Sequence, residues 1–363
     1  MAGNSNLNDS ARNKQDEFYT QLSLVESELK HHRHHFKGKT VLCNCDDPYE
    51  SNFFKYFAMN FNALGLKKLI TTCFAASPVT GREFQYYVDD GGQLSFVPSA
   101  SSAPVQEEIA RKPYKVEITE VTDENGDGRI DLADVEYLMR NKKNTMTLLD
   151  GDGDFRSEEC VELLKEADIV VTNPPFSLFR DYVALLMQHD KQFLIIGNLN
   201  AVKYKEILPL FMTDRIWLGC NSGHYWFKVP DSYEEKRTDF KIDESGQKWR
   251  RMGNICWYTN LDTERRHEDM TLFRQYNPVD YPKYDNYDAI EVGKTADIPC
   301  DYYGVIGVPI TFMTKHNPKQ FSIVGVLNSG SANKYDFAKA VLNGKQLYAR
   351  VLIQRRQVNA GEN

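Results

Sequence analysis

Four consecutive residues, Asn173-Pro174-Pro175-Phe176, directly follow an apolar, β-branched run and carry the most specific chemistry in the chain. Asn173 offers a side-chain carbonyl acceptor, and Pro174 keeps its backbone carbonyl although it lacks an N–H. Two acceptors held close together suit an exocyclic amine with two N–H donors. As those bonds form, the nitrogen lone pair loses conjugation with its ring and becomes nucleophilic. Phe176 adds a flat apolar face on which a base can stack. The competing reading is a helix start that happens to carry Pro-Pro. At average composition an Asn/Asp/Ser-Pro-Pro-aromatic match arises in roughly one chain of this length in a hundred. Placement after a buried strand favours the functional reading.

The elements that must position these residues follow from the flanking pattern. Asp168 to Thr172 has the length and composition of a buried parallel strand, and the prolines end it. Asn173 therefore sits at the carboxyl end, where open α/β sheets bind ligands. Upstream, Lys39 to Pro48 reads as a strand ending in Asp46 and Asp47, Phe53 to Leu64 has helical apolar spacing, and Lys67 to Phe74 reads as the next strand. This is a β-α-β unit. Its strand–helix turn lacks a glycine-rich fingerprint, which disfavours a dinucleotide. Asp46 and Asp47 suit a ribose or a cationic ammonium, or else cap the following helix.

Asp150-Gly151-Asp152-Gly153-Asp154-Phe155-Arg156 precedes a helix over Glu158 to Lys165. Phe155 stands where a calcium loop needs glycine. At the mouth of a parallel sheet, Asp154 would accept a bond from an adenine amino group while Phe155 packs on that ring. A helix from Leu178 to Gln188, a strand from Phe193 to Asn198 and a helix near 203–212 continue the alternation, giving a doubly wound α/β class. From Ile216 the pattern changes to short aromatic strands at 216–218, 225–229, 255–258, 305–312 and 321–327. Lys248-Trp249-Arg250-Arg251 and Arg265-Arg266-His267 read as loops between them. They suit phosphate contact and base stacking, or form ordinary solvated surface.

Two further clusters suggest metal. His31, His32, His34 and His35 end an amphipathic helix, with His32 and His35 on one face; lacking an evident Cys or carboxylate partner, they read as a solvated helix end. Residues 77–147 interrupt the alternation, and within them Asp123 to Asp134 follows the register of an EF-hand-like calcium loop, with Gly128 at the sharp turn. Asp123, Asn125, Asp127 and Asp134 are its candidate ligands. Asp134 stands where a bidentate Glu is usual, as in dockerin loops, and an Asp/Asn/Gly turn is the alternative. Calcium there would clip the insert and take no part in catalysis.

Composition sets outer bounds. The chain has 363 residues and a net charge of −7, unevenly spread: residues 77–170 carry 21 acidic against 10 basic residues, which leaves the remainder at +4. A mildly basic body with one acidic segment is compatible with DNA. Seven cysteines, an odd number in a long chain, argue for a reducing cytoplasm, and no apolar run reaches the length of a membrane span. The polar N-terminus is no signal peptide. The expected organisation is an N-terminal arm and helix over 1–36, a catalytic domain over 37–215 with the acidic insert at about 77–147, and a recognition region over 216–363.

Taken together, these stretches resemble the adenine-specific DNA methyltransferases of the EcoRI modification-enzyme type. The resemblance runs through Asp16-Glu17-Phe18-Tyr19-Thr20, Cys43 to Pro48, Gly151 to Arg156, Asp168 to Phe179, Ile216-Trp217-Leu218-Gly219, Tyr281 to Ile290 and Gly307 to Phe312. It implies a Rossmann-like S-adenosylmethionine-dependent fold with a C-terminal β-rich target-recognition region. It also implies transfer of methyl to N6 of a flipped adenine in duplex DNA. Asn173 and Pro174, followed by Pro175, would grip the amine and Phe176 would stack on the base. Asp154 and Phe155 would hold the cofactor's adenine, with Asn44, Asp46 and Asn173 nearer its ribose, methionine and methyl. Phe18, Tyr19 and Thr20 match the motif that covers the methionine moiety. The implied setting is a prokaryotic or phage-encoded cytoplasmic enzyme, with a cognate restriction endonuclease as partner. The rival readings are a methyltransferase acting on a protein glutamine or RNA adenine, and a calcium-dependent nucleic-acid-binding module without activity.

Overall fold

A computed structural model describes residues 19–45, 51–73, 85–88, 94–97, 113–123, 126–131, 134, 145–230, 233–330 and 334–357. The chain is a mixed α/β protein that divides into two compact units, Met1–Gly197 with Gly223–Ile255, and Asn198–Ser222 with Cys256–Asn363. The boundary expected at 215/216 falls within the first segment of the second unit.

In the first unit, helix α1 (Leu22–Leu29) leads into β1 (Thr40–Cys43), then α2 (Asn52–Met59), the short α3 (Phe61–Leu64) and β2 (Lys68–Thr72). Four strands follow: β3 (Gln85–Val88), β4 (Leu94–Val97), β5 (Tyr114–Ile118) and β6 (Thr145–Leu148). Helix α4 (Glu158–Glu166), β7 (Ile169–Thr172), α5 (Phe179–Gln188) and β8 (Gln192–Asn198) complete the alternation. Every residue of β1 and β7 is buried, as strands covered on both faces require. Helix starts obey capping chemistry: the Ser51 hydroxyl accepts from Phe54 N, and the Ser157 hydroxyl from Cys160 N, each at 3.3 Å.

The strand order through the sheet is β8-β7-β1-β2-β5-β6. β8, β7, β1 and β2 are mutually parallel. From β1 the chain steps to β2 on one side, and it later returns to β7 on the other. The two carboxyl ends flanking that reversal are those of β1 and β7, the position where such sheets open a ligand crevice. Two elements were not expected. β5 and β6 lie in the stretch read as an insert, yet they extend this sheet antiparallel, with Leu69 opposite Ile118 and Tyr114 opposite Leu148. Lys248 to Arg251, read as a loop, is instead the start of a strand, Lys248–Thr259.

The remaining strands are β9 (Trp217–Lys228), after α6 (Leu208–Met212), and then β10 (Phe240–Ile242) and β11 (Lys248–Thr259). β10 and β11 form an antiparallel hairpin, and Lys241 Nζ lies 4.8 Å from the ring centre of Trp226 and 5.7 Å from that of Trp249. The second unit carries β12 (Ile290–Glu291), β13 (Val305–Pro309), β14 (Phe321–Leu327), β15 (Asp336–Ala338), β16 (Val341–Leu342), β17 (Lys345–Gln346) and β18 (Arg350–Arg355). Five of these form a sheet in the order β12-β13-β18-β14-β15, with β18 antiparallel to both neighbours. The stretch read as one strand over 305–312 instead turns at Pro309 into a 3-10 segment, Ile310–Lys315.

The histidine-rich helix end is not solvated throughout. His32 is fully buried, with Nε2 3.1 Å from Oε1 of the equally buried Glu28. Glu28, one turn earlier, is the carboxylate that accounts for it. No helix among the described residues is long and apolar enough to cross a membrane.

Candidate active site

The site is built on the carboxyl ends of β1 and β7. Val41 pairs with Ile169 and Leu42 with Val170, so extending the register brings Asn44 alongside Thr172 and Asn173. Both asparagines are 7 % exposed. The prolines stop β7 as expected, and Phe176, also buried, opens a 3-10 turn, Phe176–Leu178, that runs straight into α5.

A residue of α5 joins the two sides of this crevice. The Tyr182 hydroxyl donates to Asn44 Oδ1 at 2.5 Å, and its ring meets Phe155 edge-on with centroids 4.9 Å apart. Burial pushes the Tyr182 phenol well above its ordinary range, and the neighbouring Cys45 adds to the effect. The phenol therefore stays protonated and remains a donor. With Oδ1 occupied, the other end of the Asn44 amide is fixed as an N–H donor. Nothing in the sequence singled out Tyr182. It occupies an apolar-face position alongside Phe179, Val183 and Leu186, and the hydroxyl is its only distinguishing mark. Replacing it with Phe leaves a buried Asn44 oxygen without that donor, a penalty of about 1–3 kcal/mol. Tyr182→Phe is expected to weaken cofactor binding roughly tenfold with little change in fold. Titration of the cofactor against folded variant, monitored by calorimetry, checks this.

Phe155 and Asp154 come from the loop before α4. Gly153, at φ +76°, brings that loop against the end of β2, so close that a Cβ there would lie 2.2 Å from the Cys73 carbonyl oxygen. Asp154 does not stand alone: Arg156 Nε and one terminal nitrogen bond its two oxygens at 2.8 and 2.6 Å. The Arg156 guanidinium holds the Asp154 carboxyl below the usual carboxylate range, against the opposing effect of burial. Arg156 also lies 5.2 Å from the Phe155 ring centre. The acidic loop thus presents an ionised, oriented acceptor beside an aromatic face.

Tyr19 and Thr20 enter from the N-terminal arm. Tyr19 pairs antiparallel with Lys228, its N–H donating to the Lys228 carbonyl at 2.9 Å. The Thr20 carbonyl accepts from Asn52 Nδ2 at 2.7 Å, which pins the arm to the start of α2, the helix that follows β1. Thr20 is 2 % exposed, and its hydroxyl has no partner among the described residues. An orphaned buried hydroxyl on an arm pinned to the start of α2 is what a polar cofactor would satisfy. Phe18 and Asp46 lie outside the described residues.

The profile of the family described as "Adenine-specific methyltransferase EcoRI" matches residues 6–356. The chain belongs to that family. It is 43 % identical over 370 residues to the Type II methyltransferase M.EcoRI of Escherichia coli, covering 98 % of both chains. It is 34 % identical over 372 residues to the Type II methyltransferase M.MpnI of Mycoplasma pneumoniae, covering 97 % of this chain and 98 % of the relative. A Mycoplasma genitalium relative, M.MgeORF184P, is 33 % identical over 370 residues, covering 97 % of this chain and 99 % of the relative. No solved structure matches. Membership in that family makes the chain an adenine-specific methyltransferase dependent on S-adenosylmethionine.

The family assignment does not extend to calcium, and the loop geometry does not support it. Asp123 accepts from the N–H groups of Gly126 and Gly128, each at 2.7 Å, while Asp127 accepts from Arg129 N at 2.9 Å and Asp134 from Asp131 N at 2.9 Å. Asn125 lies outside the described residues. Among the described residues, no three carboxylates of this loop converge within ligand distance. These are local side-chain-to-backbone bonds, of which the Asp127 bond has the two-residue span of an Asx turn.

Proposed function

We propose that the protein transfers a methyl group from S-adenosylmethionine to N6 of an adenine extruded from duplex DNA. The observation that carries the reading is the juxtaposition of Asn44 and Asn173 at the two strand ends flanking the chain reversal. In this reading the first unit is a Rossmann-like catalytic body. The strands from residue 216 onward supply target recognition.

Asn173 Oδ1 and the Pro174 carbonyl accept the two N–H bonds of the target amine, and Pro175 ends the strand so that both acceptors face one point. Phe176 stacks on the base. Asp154, kept ionised by Arg156, accepts from the cofactor's adenine, on which Phe155 packs. Asn44 donates toward the ribose, Asp46 lies nearby in sequence, and Thr20, with Phe18 and Tyr19, closes over the methionine end. The cofactor supplies an already activated methyl, so neither a metal nor a covalent enzyme intermediate is needed. The work of the protein is alignment of nitrogen against carbon, together with polarisation of the amine.

DNA is favoured over RNA adenine or a protein amide because the named relatives are Type II methyltransferases. A prokaryotic or phage-encoded cytoplasmic enzyme working beside an endonuclease of the same specificity is the corresponding setting; that none of the seven cysteines is in a disulfide agrees with a reducing compartment. The test is transfer of labelled methyl to duplex DNA, RNA and protein in parallel, with adenine-resolved sequencing of the product. Label on DNA adenine is expected, and label on protein or RNA alone would overturn the proposal. Phe176→Ala is expected to slow transfer and weaken capture of the extruded base by about 1–3 kcal/mol, the usual worth of one base–aromatic stack. Fluorescence of a 2-aminopurine at the target position reads this directly.

A further inference from the structure

The second unit contains a cationic cleft that the methyl-transfer chemistry does not use. It consists of two adjoining hollows that share Phe211, Arg266 and His316: one is lined by Arg265, Arg266 and Lys315, the other by Arg266, Lys319 and Arg356 with Asp214 as its acidic residue, in a protein whose net charge is negative. Two of these cations are committed to the fold. Arg266 is stacked on Trp217 at 3.6 Å from the ring centre and bonds Asp214 and Asp262, while Arg265 donates to the Cys220 carbonyl. The other three are different. Lys315, Lys319 and Arg356 are exposed and have no ion-pair partner among the described residues; Arg356 uses only its Nε, on the Pro318 carbonyl at 2.7 Å.

Lys315 and Lys319 lie on one turn, Arg356 reaches that turn from far along the chain, and a buried residue holds the turn in place. Asn317 is 1 % exposed. Its Oδ1 accepts from Lys319 N at 2.9 Å, and its Nδ2 donates to Asp269 at 2.9 Å and to the His267 carbonyl at 3.2 Å. Its own carbonyl accepts from Gln320 N and Phe321 N, and Gln320 in turn accepts from Arg356 N at 2.9 Å. His316, whose Nε2 bonds the Phe321 carbonyl at 2.9 Å, is held neutral by burial and adds no charge. The turn from Lys315 to Lys319 is thus locked to both the Arg265–His267 segment and the end of β18. Unpaired cations on a rigid turn are a preorganised anion site.

We propose that Lys315, Lys319 and Arg356 bind backbone phosphates of the DNA duplex and so set its register on the enzyme, without reading bases. This rests on the proposed DNA substrate, and it assigns Arg265 and Arg266, the more conspicuous basic pair in sequence, a mainly supporting role. Phosphate contacts of this kind release counterions, so each contributes about 0.9 to the slope of log affinity against log salt concentration.

The test measures binding of the full-length protein to sheared duplex DNA of mixed sequence across a salt series, for wild type and for Lys315→Ala/Lys319→Ala/Arg356→Ala. The expected result is a slope shallower by roughly two to three in the variant, weaker binding at low salt and unchanged cofactor affinity. An unchanged slope, with wild type binding DNA normally, overturns the cleft assignment alone. Failure of wild type to bind DNA at all overturns the substrate reading as well. A parallel titration with inorganic phosphate separates the sources: saturable binding lost in the variant without a change in DNA slope marks a free-phosphate site, and that too overturns the proposal.

Discussion

Asn173→Ala is expected to lower the rate of methyl transfer by about 10²–10³-fold or more, the usual cost of deleting one preorganised polar contact to the reacting centre, while leaving cofactor affinity within about threefold. The asymmetry follows from position. Asn173 lies one residue beyond a strand buried along its whole length, so β7 and its neighbours do not need the amide to pair. What is lost, in the proposed mechanism, is the acceptor that draws on the target nitrogen. The side chain is 7 % exposed, so truncation also opens a small cavity, and a modest drop in stability accompanies it. Asn173→Asp separates the two effects: it keeps shape and an acceptor oxygen, and is expected to retain more activity than Ala at equal or lower stability. Single-turnover rates with pre-bound cofactor give the chemical step directly. Transfer by Asn173→Ala at the wild-type rate would remove Asn173 from the reaction.

The parts of this architecture that local chemistry dictates were legible in the sequence. Runs ended by proline or acidic turns mark β1 and β7, the β-branched run after Lys67 marks β2, and the apolar spacing of 53–64 and 178–188 marks the intervening helices. Phe321 to Leu327 is a strand with the bounds its pattern implies. Pairing over long sequence distances was not legible. β5 and β6 sit among acidic and glycine-rich segments, and what makes them sheet strands is the edge of β2, about forty residues away from β5. The basic stretch 248–251 looks like a loop by composition, yet hairpin pairing with β10 holds it extended.

The site divides along the same line. The candidates Asn173, Asp154 and Phe155 stand out because they lie in short polar or proline-rich breaks between apolar elements. Tyr182 and Arg156 do not, since one looks like a core aromatic and the other like an exposed cation. Their significance lies in what they touch, Asn44 and Asp154, and only the folded chain supplies that. His32 is the reverse case: its partner Glu28 is one helical turn away in sequence, and the burial of both is what composition could not supply.

Gly153→Ala is expected to abolish measurable cofactor binding at the concentrations that saturate wild type. The backbone at Gly153 has φ +76°, which costs an L-residue about 1–2 kcal/mol, but strain alone is not the main effect. The added Cβ would meet the Cys73 carbonyl oxygen at 2.2 Å and Pro113 Cβ at 3.0 Å. Cys73 cannot retreat, because its N–H donates to the Tyr114 carbonyl and its sulfur accepts from Tyr114 N, tying it to β5. The loop must therefore lift, and Asp154 and Phe155, the next two residues, move with it. Phe155 then loses its edge contact with Tyr182, so the disturbance reaches the group that orients Asn44. Gly153 is itself buried, so a stability cost of about 2–3 kcal/mol, or roughly 3–6 °C in Tm for a unit of this size, accompanies the loss. Gly151 provides the control within the same loop: its φ is not in the left-handed region, and the nearest atom to an added Cβ is 4.0 Å away, so Gly151→Ala is expected to bind cofactor as wild type does. Equal cofactor affinity for both alanine variants would mean that the 150–156 loop takes no part in holding the cofactor, and that the adenine end binds elsewhere along the sheet edge.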